Sequence, residues 1–113
     1  MILERVEIDL VPGTEQQFET ALGRARAVLE EAAGFRSLRI ARGVETPSRY
    51  LLIIMWDTLA DHMVGFRESD LFVRWRDLIG PYFAAPPRVE HFAPRPGTLF
   101  ADDSVPPPER TAG

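Results

Sequence analysis

His62 is the side chain of this sequence best suited to accept a proton at neutral pH. An imidazole has an unperturbed pKa of about 6.5 and can act as a general base in this range. The pattern Thr58-x-x-Asp61 just before it is a helix-start signal, so we expect His62 to face the space between this helix and a sheet. We therefore predict His62 as the catalytic base. The alternative is a packing histidine that hydrogen-bonds a backbone carbonyl.

Aromatic side chains follow His62 at helical spacing and offer flat apolar surface. We predict that Phe66, Phe72 and Trp75 line a substrate-binding cavity beside the base. The alternative is that they fill the core. Arg67 could hold a phenolate or carboxylate at the cavity mouth, and Tyr82 could donate its hydroxyl to a ligand. The alternatives here are a solvated or ion-paired arginine and a hydroxyl satisfied within its loop.

Other kinds of site find little support in the residue types present. His91 lies 29 positions after His62, and no His-x-x-x-His or His-x-x-Glu spacing occurs, so no metal site is predicted. We expect His91 to serve a dimer contact or a hydrogen bond. The chain has no cysteine, and all 13 basic residues are arginine, which excludes thiolate sites, Schiff-base lysines and the phosphate-loop lysine.

Hydrophobic periodicity indicates which elements position these side chains. Segments with an apolar residue at every second position alternate with segments whose apolar residues recur at steps of three and four. The first spacing predicts strands and the second predicts helices. A Thr14-x-x-Gln17 pattern predicts a capping box, Gly34 a left-handed helix end, and Ser69 a second cap. The predicted elements are a strand at 2–11, a helix at 15–33, strands at 35–44 and 49–56, a helical region from 57, a further helix after Ser69, and a strand at 88–93.

This order predicts a ferredoxin-like βαββαβ domain over residues 1–93, with a four-stranded antiparallel sheet and both helices on one face. The strand at 49–56 is apolar on both faces, so we expect a second copy of the chain to cover the other face of the sheet. Half of the ten prolines fall in residues 94–113, which predicts an extended C-terminal tail. Leu99 and Phe100 in this tail could dock on the partner subunit.

Length and charge limit the class of protein. At 113 residues and 45% hydrophobic composition, the chain can build one compact core. A net charge of −4 lacks the basic footprint of a nucleic-acid-binding protein. The longest apolar run, at 50–56, is far shorter than a membrane helix, and the charged N-terminus is unlike a secretory signal. We expect a cytoplasmic protein that binds neither nucleic acid nor membrane.

Five segments carry a more specific signal, and together they resemble the antibiotic biosynthesis monooxygenase domain family. The segments read WDT (56–58), DHMVGFRES (61–69), FVRWR (72–76), IGPYF (79–83) and PRVEHF (87–92). The resemblance implies a dimeric α+β barrel built from ferredoxin-like protomers. It also implies oxygenation of a small aromatic, anthrone-like or quinol-type substrate by dioxygen, with no metal, flavin or other cofactor.

Two alternatives follow from the same resemblance. Some relatives bind or degrade haem and use an Asn, a Trp and a His, but this chain has no Asn, and Trp75 stands where that branch tends to carry its haem-ligating His. Other relatives have no known activity, which leaves a non-catalytic ligand-binding or structural dimer. In the leading hypothesis His62 deprotonates a phenol or hydroquinone, and the resulting anion passes an electron to dioxygen.

Overall fold

The sheet and helices form in the predicted βαββαβ order. The structure, a computed structural model, describes residues 1–97. The elements are β1 (Ile2–Asp9), α1 (Glu15–Glu30), β2 (Phe35–Arg42), β3 (Arg49–Trp56), a π-helical turn (Asp61–Phe66), α2 (Asp70–Ile79), a 3-10 turn (Gly80–Tyr82) and β4 (Arg88–Phe92). The sheet is antiparallel throughout, in the order β2-β3-β1-β4. The predicted ferredoxin-like fold is confirmed.

The two central strands, β1 and β3, carry the core between the sheet and the helices. Val6 of β1 lies opposite Leu52 of β3 on one side and Val89 of β4 on the other. Side chains alternate across a strand, so Glu4, Val6 and Ile8 share the face that the helices cover. The doubly apolar run at 49–56 is the central strand that the sequence predicts.

The first helix buries the stripe that its sequence predicts. Its buried residues are Phe18, Ala21, Leu22, Ala25, Val28 and Leu29. The helix ends at Glu30, three residues earlier than predicted. Gly34 has the expected left-handed backbone, with φ of +82°.

The hydroxyl groups at the helix starts behave differently from one another. Thr58 accepts a hydrogen bond from the Asp61 N–H at 3.0 Å, as the start signal predicts. The capping box at Thr14 is wrong, because its hydroxyl donates to the Val11 carbonyl at 2.6 Å and caps nothing. The Ser69 hydroxyl likewise donates to the Phe66 carbonyl at 2.7 Å. In both cases the hydroxyl bonds to a carbonyl three residues before it instead of to an N–H of the helix that follows.

A π-helical turn presents His62 to the interior. The Arg67 N–H donates to the His62 carbonyl at 2.9 Å, which is the wide i→i+5 bond of a π-helix. This wide turn puts His62 and Phe66 on one buried side, four positions apart. The periodicity of the sequence predicts a helical region here but not its π geometry.

The sheet face away from the helices mixes ion pairs with apolar side chains. Arg88 pairs with Glu7 at 2.8 Å and with Asp9 at 3.1 Å, and Arg49 pairs with Asp9 at 2.8 Å. Phe92, also on this face, is exposed. Leu99, Phe100 and most of the predicted tail lie outside the described residues. Within residues 1–97, every helix is too short or too polar to cross a bilayer.

Candidate active site

A cavity of about 380 Å³ lies between the sheet and the second helix, beside His62. Val6 and Ile8 of β1 form its floor, and Ile79 of α2 faces them. Val89 of β4 and Phe83 close its sides. Its volume falls in the range that small-molecule sites usually occupy, and most of its wall is apolar.

Three of the predicted binding residues lie on this wall. Trp75 and Phe72 of α2 contribute aromatic surface, and Arg67 contributes a charge. Arg76 lies there too. The guanidinium carbons of Arg67 and Arg76 lie 5.5 and 5.7 Å from the centre of the Phe72 ring, within cation–π range. Two positive groups therefore border a cavity whose wall is mostly apolar.

The other two predicted binding residues are not on the wall. Phe66 is buried behind it, with its ring 5.3 Å from Trp56 and 5.7 Å from Phe72. Because Phe66 lies on the inner side of the π-helical turn, it supports the aromatic wall from the core. Tyr82 lines a separate groove beside α1, with Arg24 and Arg42. The 3-10 turn carries Tyr82 away and leaves Phe83 facing the cavity.

Glu4 is a wall residue that the sequence interpretation missed. Its side chain points into the helix-covered face of β1, and the residue is only 5% exposed. The Trp56 indole N–H donates to Glu4 Oε1 at 2.9 Å. The same oxygen lies 3.3 Å from His62 Nε2. The signal was present in the sequence, since Glu4 has the same parity as Val6 and Ile8 on an alternating strand.

Both ring nitrogens of His62 are engaged. Nε2 faces Glu4, and Nδ1 lies 2.7 Å from Nε2 of His91. His62 is 3% exposed and stacks on Trp56 with ring centres 5.2 Å apart. His91 reaches it because β4 pairs with β1 in the register that sets His91 opposite Glu4. His91 thus makes the hydrogen bond that is one of its two predicted roles.

Burial shifts the proton affinities of this cluster in opposite directions. It raises the pKa of Glu4 from its ordinary 4.5 to about 7, although the Trp56 hydrogen bond and the charge of Arg67 act to lower it. Burial lowers the pKa of His62 from 6.5 to about 4, and the charges of His91 and Arg67 add to this. The pKa of His91 is also lowered, first by burial and then by Arg67.

These shifts define what the cluster can do. Near neutral pH both imidazoles are uncharged, so the 3.3 Å approach of His62 Nε2 to Glu4 is a polar contact rather than an ion pair. A carboxyl group with a pKa of about 7 can accept and return a proton at that pH. Within residues 1–97, no group of three or more acidic or histidine side chains is arranged to hold a metal ion.

Comparisons with known proteins show which family this chain resembles in sequence and fold. A family model described as antibiotic biosynthesis monooxygenase matches residues 1–78. The Bacillus subtilis protein YczJ is 33% identical over 92 residues, which cover 81% of this chain and 97% of YczJ.

Two solved structures show the same fold. A crystal structure of an antibiotic biosynthesis monooxygenase family protein from Bordetella bronchiseptica has a TM-score of 0.81 and 39% identity, and the match covers 83% of this chain and 96% of that one. A variant of SnoaB, a cofactor-independent oxygenase from Streptomyces nogalater, has a TM-score of 0.71 and 15% identity, covering 87% and 95% of the two chains.

Proposed function

This chain belongs to the antibiotic biosynthesis monooxygenase family, and from that membership and its cavity we propose that it is a cofactor-independent monooxygenase. Its substrate would be a small aromatic, anthrone-like or quinol-type molecule, and its co-substrate would be dioxygen. The observation that carries this proposal is an apolar cavity of about 380 Å³ with a buried carboxyl–imidazole pair in its wall. SnoaB, which shares the fold, is itself a cofactor-independent oxygenase.

The wall of the cavity suits a planar aromatic ligand. Trp75 is 9% exposed and Phe72 is half-buried, so both present ring surface to the cavity. Aromatic rings pack against such surfaces in offset or edge-to-face arrangements. Arg67 borders the same space and would stabilise negative charge on a substrate oxygen. Phe66 would act from behind the wall, by holding Phe72 in place.

The reaction needs a base and a cavity that excludes bulk water. The Glu4–His62 pair would remove a proton from the substrate, which makes it an electron-rich anion that reduces dioxygen. In an anthrone, the methylene carbon between two rings becomes a carbonyl and gives four electrons to dioxygen. One oxygen atom enters that carbonyl, and the other leaves as water with the two methylene hydrogens. An apolar wall limits competing protonation by bulk water.

The proposal includes a homodimer formed through the sheet face away from the helices. Leu51 and Ile53 of β3 lie on this face, and exposed Phe92 of β4 extends it. The proposal predicts a dimer in sedimentation equilibrium, and Ile53→Asp should shift it to monomer. A wild-type protein that sediments as a monomer would contradict this part of the proposal.

Oxygen uptake tests the proposed activity. Wild-type protein given anthrone or a hydroquinone in chelator-treated buffer should consume dioxygen, and His62→Ala should lose about 10²-fold or more of this rate. Met63→Ala, on the exposed side of the same turn, is the matched control and should retain the wild-type rate. Circular dichroism checks that each variant is folded.

Two other results would overturn the proposal. Saturable binding of these compounds without oxygen uptake would make the protein a ligand-binding member of the family. A Soret band that forms stoichiometrically with added hemin, together with no uptake, would make it a haem-binding member.

A further inference from the structure

Three side chains on three elements form one continuous chain of polar contacts out of the cavity. Glu4 on β1 lies on the cavity wall. His62, on the π-helical turn, has one ring nitrogen 3.3 Å from Glu4 and the other 2.7 Å from His91. His91, on β4, is only partly buried. Because β4 is an edge strand, this series of polar contacts extends from the cavity to the edge of the sheet.

An aromatic side chain and one charged side chain surround Glu4, His62 and His91. Trp56 covers one side of it, stacking on His62 and donating its indole N–H to Glu4. The charged group that acts on all three members is Arg67, from the end of the π-helical turn. Among the described residues, every buried side-chain nitrogen and oxygen has a hydrogen-bond partner. The contacts from Glu4 to His62 at 3.3 Å and from His62 to His91 at 2.7 Å are direct, with no gap that a bridging water would have to fill.

We propose that Glu4 is the group that takes the proton from the substrate, and that His62 and His91 pass it to solvent. This inference rests on the proposed function, because it assigns roles within that site. The inference goes beyond the proposed function because it makes Glu4 the catalytic residue and assigns His62 and His91 to a two-imidazole proton relay.

The steps balance in protons. The substrate O–H or C–H bond breaks and an O–H bond forms on Glu4. That proton then moves to Nε2 of His62 while the Nδ1 proton of His62 moves to Nε2 of His91. The Nδ1 proton of His91 leaves to water. When reduced oxygen needs a proton to depart as water, the same sequence runs in reverse and restores both tautomers.

The proton affinities fit these roles. Glu4, with its pKa raised to about 7, exchanges protons near neutral pH. The lowered pKa values of His62 and His91 keep both rings neutral, and a neutral imidazole has one N–H donor and one lone pair. Permanently charged rings would have no lone pair to receive the next proton.

A polar cluster that only stabilises the fold would have the same geometry but would not transfer protons from a bound ligand to solvent. The test uses 4-nitrophenol, whose anion absorbs visible light, as a probe that is bound but not oxygenated. Wild-type protein should ionise the bound phenol below the pH at which free phenol ionises. Glu4→Gln, which keeps the acceptor for Trp56, should bind the phenol without ionising it, and its oxygen uptake should fall by about 10²-fold or more.

The relay is tested at His91, which is not on the cavity wall. In stopped-flow with a pH indicator, His91→Ala should slow proton release on phenol binding by about 10²-fold and be rescued by added imidazole. Met63→Ala, on the exposed side of the π-helical turn, should match wild type. Wild-type proton release in His91→Ala, or full ionisation in Glu4→Gln, would overturn the proposal.

A ligand-free measurement separates this proposal from the proposed function. ¹⁵N NMR of the two imidazoles should show that Glu4→Gln changes the tautomer populations of both His62 and His91 near neutral pH. Unchanged tautomers at His91 would refute the relay even in an active oxygenase. Coupled tautomers and phenol ionisation without oxygen uptake would instead refute the oxygenase and leave the relay in place.

Discussion

Replacing Glu4 by Gln should make the protein more stable above neutral pH. The pKa of Glu4 is raised from 4.5 to about 7, so the folded protein holds this proton over a pH range in which the unfolded chain has released it. The folded state therefore loses stability as pH rises from about 4.5 to 7. Each tenfold change in a proton equilibrium is worth about 1.4 kcal/mol, so the loss approaches about 3 kcal/mol. Gln does not ionise, so the Glu4→Gln protein does not lose this stability as the pH rises.

Urea denaturation of the two proteins across this pH range measures the effect. The free energy of unfolding of Glu4→Gln should exceed that of wild type by up to about 3 kcal/mol at about pH 8, and the difference should vanish below about pH 4.5. Other titrating groups, including His62 with its opposite shift, largely cancel in this difference. Glu30→Gln, at an exposed position of α1, is the matched control substitution. A Glu4→Gln protein that is equally or less stable at about pH 8 would contradict a raised pKa for Glu4 in the folded state.

Four further substitutions probe the elements around the site. Gly34→Ala should lower the free energy of unfolding by about 1–3 kcal/mol, because Gly34 has a left-handed backbone and a new Cβ would meet a neighbouring aspartate. Gly23→Ala, with nothing within 4 Å of the added Cβ, should instead raise it by up to about 1 kcal/mol. Thr58→Ala should lower it by about 1 kcal/mol in urea denaturation, because a cap is lost. Trp56→Phe should raise the pKa of Glu4 further, measured by ¹³C NMR of the carboxyl group, and a lower pKa would contradict this.

The sequence was sufficient for the order of the elements because their patterns are local. Alternation marks β1, and a stripe of apolar residues at steps of three and four marks α1, so each is visible within a short window. Hydroxyl groups were less informative. Thr14 and Thr58 have equally good capping patterns, but only the Thr58 hydroxyl accepts a bond from the N–H three residues on, whereas the Thr14 hydroxyl donates to the Val11 carbonyl.

The site was less predictable because it depends on pairing between distant strands. Glu4 and His91 meet only through the register of β1 with β4, and no local pattern fixes that register. The aromatic residues of α2 were easier, since helical spacing already places Phe72 and Trp75 on neighbouring positions of one face. Tyr82 lies on the groove beside α1 because the 3-10 turn after α2 decides its direction, and no local pattern specifies that turn.

A structure of the protein with anthrone bound under anaerobic conditions shows where the substrate lies relative to Glu4. We expect the ring system in the cavity against Phe72 and Trp75, with its reacting end within about 3–3.5 Å of a Glu4 carboxylate oxygen. Anthrone bound in the groove beside Tyr82, or in the cavity with its reacting end turned away from Glu4, would contradict it.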